Sequence, residues 1–254
     1  MNRYFIYLAY SGTAYCGWQR QPNAASVQQR LEEALATALQ QPVTLTGAGR
    51  TDTGVHARQM VAHFDSVAPL VALDTWTEKL NRMLPQDIGV ERILPVREDA
   101  HARFDALSRT YQYCLTDRKN PFNGEWVYRM SLRGMNFVAM NEACDVLREY
   151  RDFTSFSKLH TDVKTNLCHI YRAGWEREGD IRTFTICADR FLRNMVRAIV
   201  GTLFEVGRGK CNLNEFRDLI EAKDRCRAGS SAPAKGLALT DIAYPDSLFL
   251  RQEA

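Results

Sequence analysis

The stretch Gly47-Ala48-Gly49-Arg50-Thr51-Asp52-Thr53-Gly54-Val55-His56-Ala57 gathers three glycines, one carboxylate and an arginine two residues before it. A second arginine, Arg58, follows at once. A carboxylate beside a cation stays ionised, because the neighbouring charge favours the anionic form. Held at the mouth of a cleft, such an anion can act as a nucleophile. Glycines open backbone conformations closed to other residues and let a second molecule approach closely. The loop is also longer than the about two to five residues that a plain reversal needs. The same residues describe an Asx-type turn with a surface ion pair, and residue types alone leave both readings open.

Two strands must hold that loop. Val43-Thr44-Leu45-Thr46 reads as a short β-branched strand before it. Met60-Val61-Ala62-His63-Phe64 reads as one after it, with Val61 on one face and Met60, Ala62 and Phe64 on the other. Upstream, Arg3 to Tyr10 alternates as a strand and enters a polar, aromatic loop that ends in Gly17-Trp18-Gln19. Exposed, these aromatics would stack on unpaired bases; buried, Trp18 would cap the core. Ser26-Val27-Gln28-Gln29 predicts a capping box, and Val27, Leu31, Ala34, Leu35 and Ala38 fall on one helical face. A second helix is predicted with Thr75 and Glu78 as caps, Trp76, Leu80, Met83 and Leu84 as its stripe, and Pro85 as its end. A strand from Asp87 to Leu94 completes a β-α-β-β-α-β order, the ferredoxin-like pattern on an antiparallel sheet.

The half-chain boundary falls near Asp99-Ala100-His101-Ala102-Arg103-Phe104-Asp105-Ala106, giving halves 1–104 and 105–254. Arg109 to Leu115 alternates and places Tyr111, Tyr113 and Leu115 on one sheet face, by default a row of half-buried tyrosines. Phe137, Met140, Ala143, Cys144 and Leu147 mark a helix, and strands follow at about Leu167 to Glu176 and Arg182 to Ala188. A longer helix is predicted from near Phe191, with Leu192, Met195, Val196, Ile199 and Leu203 buried and Gly207 as C-cap. Arg190, Arg193 and Arg197 would line its other face, three and four residues apart. Such a row is either a solvated face or, lacking interleaved acids, a phosphate surface. Asn212 and Glu215 then cap a short helix carrying Leu213, Phe216, Leu219 and Ile220.

The chain has 254 residues, 45% hydrophobic and 25% charged, which fits one large or two modest soluble domains. No apolar run approaches membrane-spanning length, and the amino terminus enters a strand with no signal-peptide layout. The seven cysteines are odd in number and scattered, with no Cys-x-x-Cys pair. That suits a reducing cytoplasm and argues against disulfide or zinc frameworks. Net charge is only +3, but 26 Arg stand against 7 Lys. Arginine is the better residue for forked phosphate contacts and for stacking on bases.

Gly-Arg-Thr-Asp-x-Gly-Val-His-Ala, from Gly49 to Ala57, resembles the catalytic signature of the TruA-type tRNA pseudouridine synthases, and Asp52 falls on that family's catalytic aspartate. Further matches run from Tyr10 to Tyr244. They include the opening loop, where Ser11 replaces the family's Asp, and the crossover block, where Ala100 and Asp105 depart. After the histidine the family commonly reads Gly-Gln-Val, whereas this chain has Arg58-Gln59-Met60-Val61.

The resemblance implies an α+β pseudouridine synthase fold, two ferredoxin-like halves sharing a largely antiparallel central sheet flanked by helices. It implies isomerisation of uridine in the anticodon stem-loop of tRNA, at positions 38, 39 and 40, with no cofactor and no metal. It further implies a homodimer in the cytoplasm, with no membrane partner. By the same resemblance Asp52 is catalytic, Arg197 pairs with it and Tyr111 packs on the target uracil. Leu239, closing Ala-Pro-Ala-x-Gly-Leu-x-Leu, lines the base pocket. Arg50, in the loop itself, is placed to occupy the space of a displaced base. Two other classes compete. A hydrolytic N-glycosidase would break the same bond but usually needs two carboxylates to activate water. A non-catalytic RNA-binding module would keep the basic residues without need of Asp52.

Overall fold

A computed structural model describes residues 1–158 and 165–250. The architecture is mixed α+β, with a large, mostly antiparallel sheet flanked by helices, as the α+β expectation requires. The chain divides into two compact units, Met1–Leu107 joined by the stretch from Leu239, and Ser108–Ala238.

In the first unit β1 (Asn2–Tyr10), α1 (Val27–Leu39), β2 (Thr46–Gly47), β3 (His56–Ser66), α2 (Leu73–Met83) and β4 (Ile88–Val96) follow the predicted β-α-β-β-α-β order. Strand β1 lies between β3 and β4, antiparallel to both. Its residues from Tyr4 to Leu8 are all buried, so both faces are covered. Phe5 meets the rings of Tyr244 and Phe249 at 5.0 and 6.2 Å, so the returning end of the chain covers one of them.

Three local expectations need correction. The strand predicted at 43–46 shrinks to Thr46–Gly47, paired with His63 and Ala62. Helix side chains have taken over the ladder there. The buried Glu32 accepts the Leu45 N–H at 3.0 Å, and Gln28 donates to the Leu45 carbonyl at 3.0 Å. Ser26 does cap α1 by accepting from the Gln29 backbone, but the Gln29 amide turns forward to Glu33 at 2.8 Å. Helix α2 starts at Leu73 after Ala72 in the left-handed region (φ 52°), and no side chain caps it. Of its predicted stripe, Leu80 and Leu84 are buried, whereas Met83 is exposed.

The crossover is tied down by polar contacts. Arg3 forks onto Asp65 with both bonds at 2.8 Å and donates to the Ala100 carbonyl. His63 Nδ1 accepts the Ala102 N–H at 3.1 Å, and the His63 and His101 rings lie 4.7 Å apart.

The second unit contains β5 (Ser108–Thr116), β6 (Tyr128–Arg129), α3 (Phe137–Glu149), β7 (Ile170–Glu178), β8 (Ile181–Ala188), α4 (Met195–Gly207) and α5 (Leu213–Glu221). Strand β8 is antiparallel to both β5 and β7, and the short β6 runs parallel to β5. The final strand, β9 (Leu237–Ala243), neighbours β3 in the first unit, where Gln59 donates to the Ile242 carbonyl at 3.2 Å. The Arg58-Gln59-Met60 departure thus lies inside β3, and its glutamine lashes two strands together.

Helices α3 and α5 bury their predicted stripes except at the first residue of each, Phe137 and Leu213, which are half-buried, and α5 carries the full Asn212–Glu215 capping box. Helix α4 differs from its prediction at both ends. It begins after Asn194, which sits in the left-handed region (φ 64°), so Arg190 and Arg193 precede the helix and only Arg197 lies on it. The aligned row of three arginines does not form. At the other end Gly207 is the last helical residue and Gly209 (φ 71°) takes the left-handed turn. A Cβ on Gly207 would sit 2.6 Å from Met140 Sδ, so that glycine serves packing against α3.

Candidate active site

Asp52 lies partly exposed in loop 48–55, between β2 and β3. Its backbone carbonyl accepts the Val55 N–H at 3.1 Å, and Gly54 takes φ 77° at the third position of that turn. A type II turn requires glycine there. Loop 10–18 presses on this turn at two glycines. A Cβ on Gly12 would lie 2.0 Å from the Val55 oxygen, and one on Gly17 (φ 86°) 2.3 Å from the Thr51 oxygen. Hydrogen bonds stitch the same seam. Trp18 N–H donates to the Thr51 carbonyl and Gly54 N–H to the Tyr15 carbonyl, both at 3.3 Å. The Tyr10 and Thr51 hydroxyls meet at 2.9 Å, and His56 Nδ1 accepts the Gly12 N–H at 3.1 Å. Asp52 is therefore held through its neighbours on both sides.

These contacts settle the choice for Trp18. It is 2% exposed, tilted 6.2 Å from the Tyr10 ring and close against Gly47, so it caps the core. Tyr15 is buried too. Burial and its 2.7 Å bond to Asp87 raise its hydroxyl pKa. Ser11 keeps a polar contact at the position where the resemblance expects Asp, its Oγ lying 3.2 Å from Thr13 Oγ1. Arg50 is exposed on the approach to Asp52.

In the second unit, Arg197 occupies the first turn of α4. A cation there opposes the helix dipole, a cost of about 0.3–1 kcal/mol. Every other α4 residue except Glu205 is buried, so the helix is a rigid mount. Arg197 Nε donates to the Ala232 carbonyl at 2.7 Å, and the Ala232 N–H returns a bond to the Arg197 carbonyl. The segment making these bonds crosses α4 at Gly201, where a Cβ would meet the Ser230 oxygen at 1.8 Å.

Tyr111 is 9% exposed, its ring edge-on to Phe191 at 5.2 Å. Tyr113, deeper on the same face, donates to the Pro233 carbonyl at 2.9 Å, and burial raises its pKa. Tyr111 and Arg197 thus share one neighbourhood, built from β5, the turn before α4 and segment 229–236. Leu239 is buried in β9 and belongs with Asp52 and Arg50 to the first unit. His56 escaped the sequence reading, where it stood only as one letter of the signature. A histidine two residues after a turn glycine carries no signal of its own.

The α+β architecture and its element order are those expected of a pseudouridine synthase. A family model described as tRNA pseudouridine synthase matches residues 6–105 and 150–245. Relatives named tRNA pseudouridine synthase A include one from Parabacteroides distasonis, 62% identical over 98% of both chains. Another, from Porphyromonas gingivalis, is 58% identical over 98% of this chain and 100% of its own length. One from a Geobacter species is 40% identical over 97% and 100%. The chain belongs to the tRNA pseudouridine synthase family.

Proposed function

We propose that this chain isomerises uridine to pseudouridine in tRNA, at positions 38, 39 and 40 of the anticodon stem-loop. The C1′–N1 bond breaks, the uracil turns, and C1′ rejoins through C5. N1 gains a proton and C5 loses one, so the product is an isomer and no oxidant, reductant or water is consumed. Asp52 is the nucleophilic carboxylate. Arg197 is the cation that keeps it ionised and oriented, and Tyr111 is the aromatic surface against the freed base. Leu239 lines the base pocket, and Arg50 fills the space left by the extracted nucleotide. Removing a nucleotide from a stem costs a few kcal/mol, which inserted arginine can partly offset.

The observation that carries this reading is the mounting of Asp52. Its loop is backed by a second loop at two positions where no Cβ fits, so the carboxylate is carried on a fixed backbone. Nucleophilic catalysis needs that fixity, since displacement by about 1 Å can cost ~10²-fold in rate. We place the enzyme in the cytoplasm as a homodimer. Light scattering at micromolar concentration is expected to give twice the monomer mass, and a fully active monomer would sink the dimer.

Asp52→Asn tests the central role. The amide has nearly the same shape but cannot attack as an anion. Single-turnover release of tritium from tRNA carrying [5-³H]uridine is expected to fall at least ~10³-fold, with tRNA binding unchanged. Appreciable turnover by the Asn variant would remove Asp52 as nucleophile. Free uracil among the products would instead support a hydrolytic glycosidase.

A further inference from the structure

The geometry of loop 48–55 points to His56 as a positioning residue for the reaction, and this inference rests on the reading of Asp52 as nucleophile. Gly12 lies against the Val55 carbonyl, yet its N–H turns to the His56 ring, where Nδ1 accepts it at 3.1 Å. An Nδ1 that accepts a backbone N–H directs its lone pair there. His56 is 1% exposed and is the first residue of β3. It therefore couples the rigid strand directly to the loop that backs Asp52.

The opposite flank of the turn is held by the Tyr10–Thr51 hydroxyl pair at 2.9 Å and by the Trp18 N–H on the Thr51 carbonyl. On the C-terminal flank the Gly54 N–H donates to the Tyr15 carbonyl at 3.3 Å, and the His56–Gly12 bond adds a side-chain anchor. Without it Gly12 and Val55 remain pressed together with one bond fewer to fix their register. The turn from Asp52 to Val55 can then shift as a unit. We infer that His56 acts on the rate of the chemical step through the placement of Asp52, without touching the substrate.

The two nitrogens of the ring allow a sharp test. His56→Asn keeps an acceptor at the position of Nδ1, whereas His56→Gln carries its amide to the position of Nε2. His56→Ala removes both. Single-turnover tritium release and tRNA binding are measured for all three, beside wild type and Asp52→Asn. The Asn variant is expected to stay within about threefold of wild type. The Gln and Ala variants are expected to lose at least tenfold in rate with binding affinity unchanged. Should His56→Ala not fold, the Asn–Gln pair still decides. Equal rates for Asn and Gln, or losses confined to binding, would overturn the inference. If Asp52→Asn keeps turning over, the underlying nucleophile reading has failed instead, whatever the His56 variants do.

Discussion

At the scale of single residues, Arg50 and Arg197 look alike as cations and should fail differently. Arg197 is braced by its bond to the Ala232 carbonyl and by a helix with almost no exposed side chain. A planar guanidinium held in that way can make a fixed, forked contact with a carboxylate. Arg50 sits exposed on a glycine-flanked loop, suited to entering vacated space. Arg197→Ala is expected to slow the chemical step by ~10²-fold or more on any uridine, paired or unpaired. Arg50→Ala should cost about tenfold more on a stem uridine than on a loop uridine, because only the stem uridine must be extracted. Equal losses on both substrates would remove Arg50 from base flipping. Loop 48–55 was legible as a unit because its residues form one contiguous signature. What the sequence concealed is how the loop is held. The contacts of Gly12, Gly17 and His56 join residues 34 to 44 positions apart in the chain, and no local pattern encodes them.

At the scale of elements, periodicity served where one face of a helix is buried and failed where burial is general. The stripes of α1, α3 and α5 stand out against polar faces. Helix α4 has no such contrast, so Phe191 and Leu192 continue its pattern although they precede it. The break is at Asn194, whose left-handed backbone separates them from the helix. Its amide donates to Ser231 Oγ at 2.6 Å, fastening the start of α4 to the segment that braces Arg197. Asparagine tolerates the left-handed region better than residues whose side chains cannot bond locally. Asn194→Ala should therefore cost about 2 kcal/mol, part backbone strain and part lost hydrogen bond. Asn194→Gly should cost about 1 kcal/mol, since glycine relieves the strain but not the bond. Urea midpoints at constant slope measure both. Equal losses would mean that the backbone conformation at this position is not what selects asparagine.

At the scale of the whole molecule, one buried imidazole gives stability a dependence on pH. His63 lies between Phe5 and His101, with Nδ1 accepting the Ala102 N–H. Burial first, then the charge of Arg3 and the nearby His101, push its pKa down from 6.5 to about 4. Asp65 and Asp105 pull the other way and are outweighed. His101 is lowered as well, again mainly by burial. Folded His63 thus stays neutral in a range where the unfolded chain takes up a proton. The unfolded state then binds more protons than the native state, so stability falls as pH falls. The contribution is complete above about 6.5 and is lost progressively down to about 4. A gap of that width corresponds to on the order of 3 kcal/mol. Asp65, held low by its hydrogen bond to Arg3, adds a loss of the same sign only at still lower pH. His63→Asn keeps an acceptor for the Ala102 N–H but cannot titrate. Urea unfolding of both proteins across this window should show wild-type stability declining and the variant's decline much reduced. If the Asn variant loses stability as steeply as wild type, the acid sensitivity of the molecule arises elsewhere than at His63.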